Sequence, residues 1–140
     1  MIGPRDVLIA DDDRELVHAL SVRMRGLGLT VRTAHDALSA LNMVQERVPD
    51  LMILDVNMPA GNGLCACEMM ASDPNSADVP VIILTGRQDE ETIRRCWDLL
   101  AYYTPKAPDV WSRLEPLICE LLHVESPATK YTRRAASSCP

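Results

Sequence analysis

Residues 51–63 read LMILDVNMPAGNG. Four apolar residues, Leu51–Leu54, stop abruptly at an acid, Asp55. A run of four is too short for a helix. With no polar face, it reads as a parallel strand buried on both sides. Pro59, Gly61, Asn62 and Gly63 then make a loop. Two further stretches share the pattern. Val7–Ala10 (VLIA) ends at Asp11, Asp12 and Asp13, and Val81–Leu84 (VIIL) ends at Thr85-Gly86. Three apolar runs, each stopped by polar residues at its carboxyl end, anchor the reading of the remainder.

Between these runs the apolar residues recur at helical spacing. Leu16, Val17, Leu20, Met24 and Leu27 mark a first helix, and Gly28 suits the position just past its end. Thr30–Ala34 alternates like a second strand. Leu38, Leu41, Val44 and Val48 mark a second helix, ended by Pro49. Leu64–Ser72 is a short third helix that stops before Pro74. Asp89–Leu100 is a fourth, with Asp89 as a candidate N-cap and Glu90 and Glu91 matched to the helix dipole. Ala101–Thr104 is a weak fifth strand that Pro105 ends early. Asp109–His123 is a fifth helix through Val110, Leu114, Leu117, Ile118 and Leu121. Pro116 lies inside it, where a proline deletes a backbone hydrogen bond and costs roughly 3 kcal/mol unless the helix kinks or starts later. Five strands alternating with five helices, joined by right-handed crossovers, predict a single doubly wound α/β domain.

The chain has 140 residues, 47% hydrophobic and 24% charged, which is ordinary for a soluble globular protein. Phe is absent and there are two Trp and three Tyr, so the core is aliphatic and base-stacking platforms are poorly supplied. The net charge is −6, unevenly placed. Through residue 125, 11 Lys and Arg face 20 Asp and Glu; residues 126–140 carry Lys130, Arg133 and Arg134 and no acid. An acidic surface repels phosphate backbones, so no nucleic-acid partner is expected. The domain is expected to span residues 1–125. Residues 126–140, SPATKYTRRAASSCP, read as a short basic, disordered tail, too short to fold as an output domain. No run approaches the roughly 18 apolar residues of a membrane span, and no signal peptide is visible. Three tail charges make only a marginal membrane anchor. A cytoplasmic protein with no membrane partner is the expectation. Cys65, Cys67, Cys96, Cys119 and Cys139 are odd in number and lack CxxC spacing, which argues against a disulfide framework or a zinc site.

In an open parallel sheet, ligands bind beyond the carboxyl ends of the strands. That rim collects Asp11, Asp12, Asp13, Asp55, Thr85 and, after the fifth strand, Lys106. Crowded carboxylates repel one another unless a cation relieves them. Mg²⁺ prefers oxygen ligands and keeps several waters, so two or three carboxylates suffice. A carboxylate nucleophile, a cation, a hydroxyl and a lysine are the parts that phosphoryl transfer needs. Asp13 is read as the cap of the first helix in preference to a third ligand. His18, His35 and His123 are scattered and read as surface or packing residues. Met58, Met69 and Met70 read as loop or core fillers.

LIADDDREL, LDVNMPAGNGL, VIILTG and the lysine after the fifth strand together resemble the receiver domain of two-component response regulators. The resemblance covers nearly all of residues 5–123, and its most specific part is D-x-N-M-P-x-x-x-G at Asp55, Asn57, Met58, Pro59 and Gly63. It implies a flavodoxin-like fold with a five-stranded parallel sheet of order 2-1-3-4-5. It implies that Asp55 accepts a phosphoryl group from a phosphohistidine on a sensor histidine kinase or histidine phosphotransfer protein. Asp11, Asp12, Asp55 and the Asn57 backbone carbonyl would hold Mg²⁺, with Asp11 reaching it through water. Thr85 and Lys106 would contact the phosphoryl group, Tyr103 would be the switch aromatic, and Gly86 would leave room for the incoming group. The switched face of strand 4, helix 4, strand 5 and helix 5 would then control an unknown downstream protein. Such a module catalyses only its own phosphorylation and dephosphorylation and is not a turnover enzyme.

The sequence departs from that family near Lys106. In LLAYYTPKAP the usual glycine before the fifth strand is missing, the segment is one residue short, and Ala107 replaces the usual proline. A cis Lys106–Ala107 bond would cost about 3 kcal/mol or more. This departure leaves open a degenerate receiver that binds a partner without phosphorylation. Asp11 and Asp13 also share the D-x-D spacing of haloacid-dehalogenase-type phosphatases, although Arg14-Glu15 and the missing later acidic pair argue against that reading.

Overall fold

The computed structural model describes residues 3–58, 61–86 and 89–125. The basic segment 126–140, Arg87 and Pro59 lie outside the described residues. Five strands form one parallel sheet: β1 (Asp6–Ala10), β2 (Thr30–Ala34), β3 (Leu51–Asp55), β6 (Val81–Thr85) and β7 (Tyr102–Pro105). Their order is β2-β1-β3-β6-β7. Setting aside a two-residue hairpin of β4 (Asn57–Met58) and β5 (Gly61–Asn62), this is the expected order 2-1-3-4-5.

Strand alternation sorts the core into two layers. Leu8, Ala10, Met52, Leu54, Val81 and Ile83 pack with residues of α2 (Ala37–Glu46), α3 (Gly63–Ser72) and α4 (Glu90–Asp98). Val7, Ile9, Leu51, Ile53, Ile82 and Leu84 pack with α1 (Arg14–Gly26) and α5 (Val110–Leu122) through Val17, Leu20, Met24, Leu114 and Ile118. All residues of β1, β3 and β6 are buried, as continuous apolar runs in a doubly covered sheet require.

Helix ends follow the chemistry of their capping residues. Asp13 accepts from Leu16 N at 3.1 Å, Asp36 from Ser39 N at 2.7 Å and Asp89 from Thr92 N at 2.8 Å. Each satisfies an amide that the first helical turn leaves open. Gly28 ends α1 at φ +86°.

Three expectations need correction. The buried face of α2 is Ala37, Ala40 and Val44, while Leu38 and Val48 are exposed. Small alanines carry the packing there, and Val48 lies past the helix end at Glu46. Pro105 does not cut β7 short: it is the last paired residue, opposite Thr85. An edge strand tolerates a proline because the missing N–H has no required partner on the open side. Met69 is not a core filler, being 60% exposed. Pro116 is accommodated within a continuous α5. Pro116 and Ser112 are both exposed, so water can serve the carbonyl that the proline leaves unpaired.

Candidate functional site

The parallel register brings three strand ends together. Ala10 pairs with Leu54, so Asp11 follows beside Asp55, and Asp55 itself pairs with Leu84, one residue before Thr85. Asp11, Asp12 and Asp55 each offer a carboxylate oxygen, and these atoms lie within 4.8 Å of one another. Asp11 and Asp55 are buried and Asp12 is exposed. Asp13 caps α1 and is not part of this group, so it is no third ligand and the D-x-D pair is split between two tasks.

Lys106 reaches the centre from the end of β7. Its amide donates to Thr85 O at 2.8 Å, which extends the strand pairing by one bond. Its Nζ stands 2.8 Å from Asp11 Oδ2 and 3.2 Å from Asp55 Oδ2. Leu100, just past the end of α4, takes φ +56°, a backbone that glycine adopts at less cost. No described peptide bond is cis, so Ala107 follows a trans bond.

Electrostatics at this rim are strained. Burial first, and then the Asp11 carboxylate, push the pKa of Asp55 up to about 6, against the opposing pull of Lys106 and of the Asn57 backbone N–H. Burial works against the Lys106 charge, yet the close carboxylates of Asp11 and then Asp55 hold its pKa above the ordinary lysine value. Asp11 Oδ1 accepts from Asp13 N at 2.9 Å. Asp11 Oδ2 is buried, and among the described residues its close neighbour is the Lys106 ammonium, with no further hydrogen-bond donor on it. A buried anionic oxygen in that position, within a set of hard oxygen donors, fits a hard divalent cation.

Gly63 closes the site from behind. Its N–H donates to Val56 O at 3.0 Å, and a Cβ built on it would overlap the Asp55 carbonyl. Asn62 turns the chain into α3 by accepting from Leu64 N at 2.7 Å. Asn57 is exposed at the start of β4, directly after the Asp55-Val56 pair. A Cβ on Gly86 would meet open space. Thr85 is fully buried at the end of β6.

Tyr103 stands apart from the carboxylates. It pairs with Ile83, two positions before the Thr85–Pro105 pair, and packs against the α2–α4 core layer. Burial first, then Cys96 and Asp89, raise the pKa of its hydroxyl. It lines a cavity of about 620 Å³ with Ile93, Trp97, Leu100 and Tyr102. Sequence reasoning missed one residue at the rim. His35, whose sequence position suggests only a surface or packing role, places Nδ1 3.0 Å from the Asp11 carbonyl. Only its place directly after β2 could have signalled this.

The family model described as the response regulator receiver domain matches residues 7–104. The DNA-binding response regulator MtrA of Mycobacterium leprae is 35% identical over 83 residues, covering 59% of this chain and 36% of that protein. The chain thus spans about a third of the length of that relative. Among solved structures, the non-phosphorylated HemR receiver domain from Leptospira biflexa superposes with a TM-score of 0.77 at 25% identity, covering 88% of this chain and 98% of that one. The response regulator TrrA from Thermotoga maritima, solved in complex with Mg²⁺-BeF, shares the fold at a TM-score of 0.75 and 23% identity, covering 84% and 98%. No helix among the described residues is long and apolar enough to cross a membrane.

Proposed function

Given that the chain belongs to the response regulator receiver domain family, we propose that it accepts a phosphoryl group on Asp55 and transmits the change to a partner protein. The observation that carries this reading is the convergence of Asp11, Asp12 and Asp55 within 4.8 Å, with Lys106 Nζ 3.2 Å from Asp55.

Asp11, Asp12, Asp55 and the Asn57 carbonyl would hold Mg²⁺, which supplies charge neutralisation for an incoming phosphoryl group. An Asp55 carboxylate oxygen attacks phosphorus as the P–N bond to the donor histidine breaks, and the imidazole leaves with the bonding electron pair. Lys106 is already placed to balance the charge that this adds. Thr85, one residue beyond Asp55's partner on β6, would donate its hydroxyl to the new group. Open space beside Gly86 admits the donor or an attacking water. The donor is a sensor histidine kinase or a histidine phosphotransfer protein.

The chain catalyses only its own phosphorylation and dephosphorylation and does not turn over a separate substrate. A phosphoryl group carries nearly two negative charges at neutral pH. Thr85 and Lys106 respond to that charge, and the α4–β7 surface, with Tyr103 in its wall, changes the partner it prefers. That partner is a protein and not nucleic acid, in keeping with the acidic charge of −6, and the setting is cytoplasmic.

Lys106 at the centre of the rim supports a phosphorylating receiver over a degenerate one. Incubation with Mg²⁺ and acetyl phosphate, followed by intact-mass measurement, tests the reading. One phosphoryl adduct on the wild type and none on Asp55→Asn is expected. No adduct on the wild type, or an adduct that survives the substitution, overturns it.

A further inference from the structure

Asp11 is held on almost every side. Its amide donates to Ala34 O at 3.1 Å, the last main-chain bond between β1 and β2. Oδ1 accepts from Asp13 N, and Oδ2 faces Lys106. Among the described residues, no main-chain N–H donates to the Asp11 carbonyl. There the partly buried His35 ring takes over, with Nδ1 3.0 Å from that oxygen. A carbonyl cannot donate, so Nδ1 carries the proton. His35 is itself anchored by its neighbour: Asp36 caps α2 through Ser39 N at 2.7 Å and Ser39 Oγ at 2.9 Å. The start of α2 is therefore tied, through one imidazole, to the turn that presents Asp11 and Asp12.

We infer that His35 is a positioning residue for the cation site, its Nδ1–H holding the Asp11 carbonyl so that the Asp11-Asp12 pair faces Asp55. The inference rests on the reading that Asp11 and Asp12 hold the cation. His35 touches neither the cation nor the phosphoryl group; it acts through the backbone of a ligand. Partners of this outer kind set ligand direction, and their loss weakens metal affinity by about 10–100-fold in known sites. A backbone partner belongs at the lower end of that range.

Mg²⁺ titration by calorimetry, with thermal melting of each variant, tests the role. Asparagine places an amide N–H where histidine has Nδ1, whereas glutamine places it where histidine has Nε2. His35→Asn is expected to bind Mg²⁺ within about threefold of the wild type, and His35→Gln and His35→Ala about tenfold more weakly. Each variant should still melt cooperatively above the titration temperature, so that a lost affinity is read on folded protein. Equal Mg²⁺ affinity in the Asn and Gln variants, or undiminished affinity in His35→Ala, overturns the positioning role and leaves the site reading intact. A wild type that binds no Mg²⁺ overturns the site reading itself and this inference with it.

Discussion

Gly63 lies so close behind Asp55 that the space of its missing side chain is taken by the Asp55 backbone carbonyl. The loop after β3 must return to within hydrogen-bonding distance of Val56 O before α3 can begin. Only a residue without a Cβ permits that return, so the glycine sets where the Asp55 carboxylate is presented. Gly63→Ala is expected to destabilise the fold by about 1–3 kcal/mol and to slow acceptance of a phosphoryl group from acetyl phosphate. Urea unfolding and adduct formation read the two effects. Wild-type values for both would show that the approach is less tight than described.

Asp55 should make stability depend on pH. Its pKa in the fold is about 6, above the roughly 3.9 of an unfolded aspartate. The folded state therefore binds the proton more tightly. The stability this contributes is present below about pH 4 and is lost as pH rises through about 6. Without divalent cation, Asp55→Asn is expected to be more stable than the wild type by about 1–3 kcal/mol at pH 7.5, and no more stable at pH 4. Urea unfolding in chelator at both values checks this; a pH-independent difference would refute the linkage.

Lys106 counters the crowding between Asp11 and Asp55. Lys106→Met removes that charge and should move the Asp55 titration above about 6, where the wild type has it. Carboxyl ¹³C NMR of Asp55 follows the midpoint directly. A midpoint unchanged or lowered would mean that the ammonium does not hold this position in solution.

Leu100 holds φ +56° while 89% exposed. A left-handed conformation costs a residue with a Cβ about 1–2 kcal/mol, and part of this gain is offset by glycine's extra freedom when unfolded. Leu100→Gly should therefore raise stability by about 0.5–1 kcal/mol. The urea midpoint should rise with an unchanged slope. A destabilised variant would show that the leucine side chain contributes more to the α4–β7 cavity than its exposure implies.

Asp6 anchors the opposite end of the sheet. Its nearly buried carboxylate accepts from Arg32 Nη2 at 2.6 Å and Nε at 3.0 Å, and from Arg47 Nη2 at 3.1 Å. Asp6→Ala leaves the mostly buried Arg32 without its carboxylate and is expected to cost about 3–5 kcal/mol. The double substitution Asp6→Ala with Arg32→Met should recover part of that loss in urea unfolding. Additive losses would show that the two side chains are uncoupled.

The acidic rim was legible because each aspartate ends an apolar run, and parallel strands place all carboxyl ends on one side. The α2 packing face was legible only at Leu41 and Val44, since periodicity weights large side chains, while Ala37 and Ala40 are buried beside them. His35 was hidden for a different reason. Its partner is a backbone carbonyl, which every residue type possesses, so no spacing of side chains points to it.

The amino-acid sequence by itself determined the alternation of strands and helices, the strand ends at which Asp11, Asp55 and Thr85 sit, and the cap at Asp13. These depend on local periodicity and on side chains within three residues of the amides they serve. Only the tertiary structure decided that Lys106 Nζ falls between Asp11 and Asp55 and that the His35 ring meets the Asp11 carbonyl. Those outcomes depend on register between strands far apart in the chain. A slip of one residue there reverses which face a side chain occupies, and no local pattern encodes that distance.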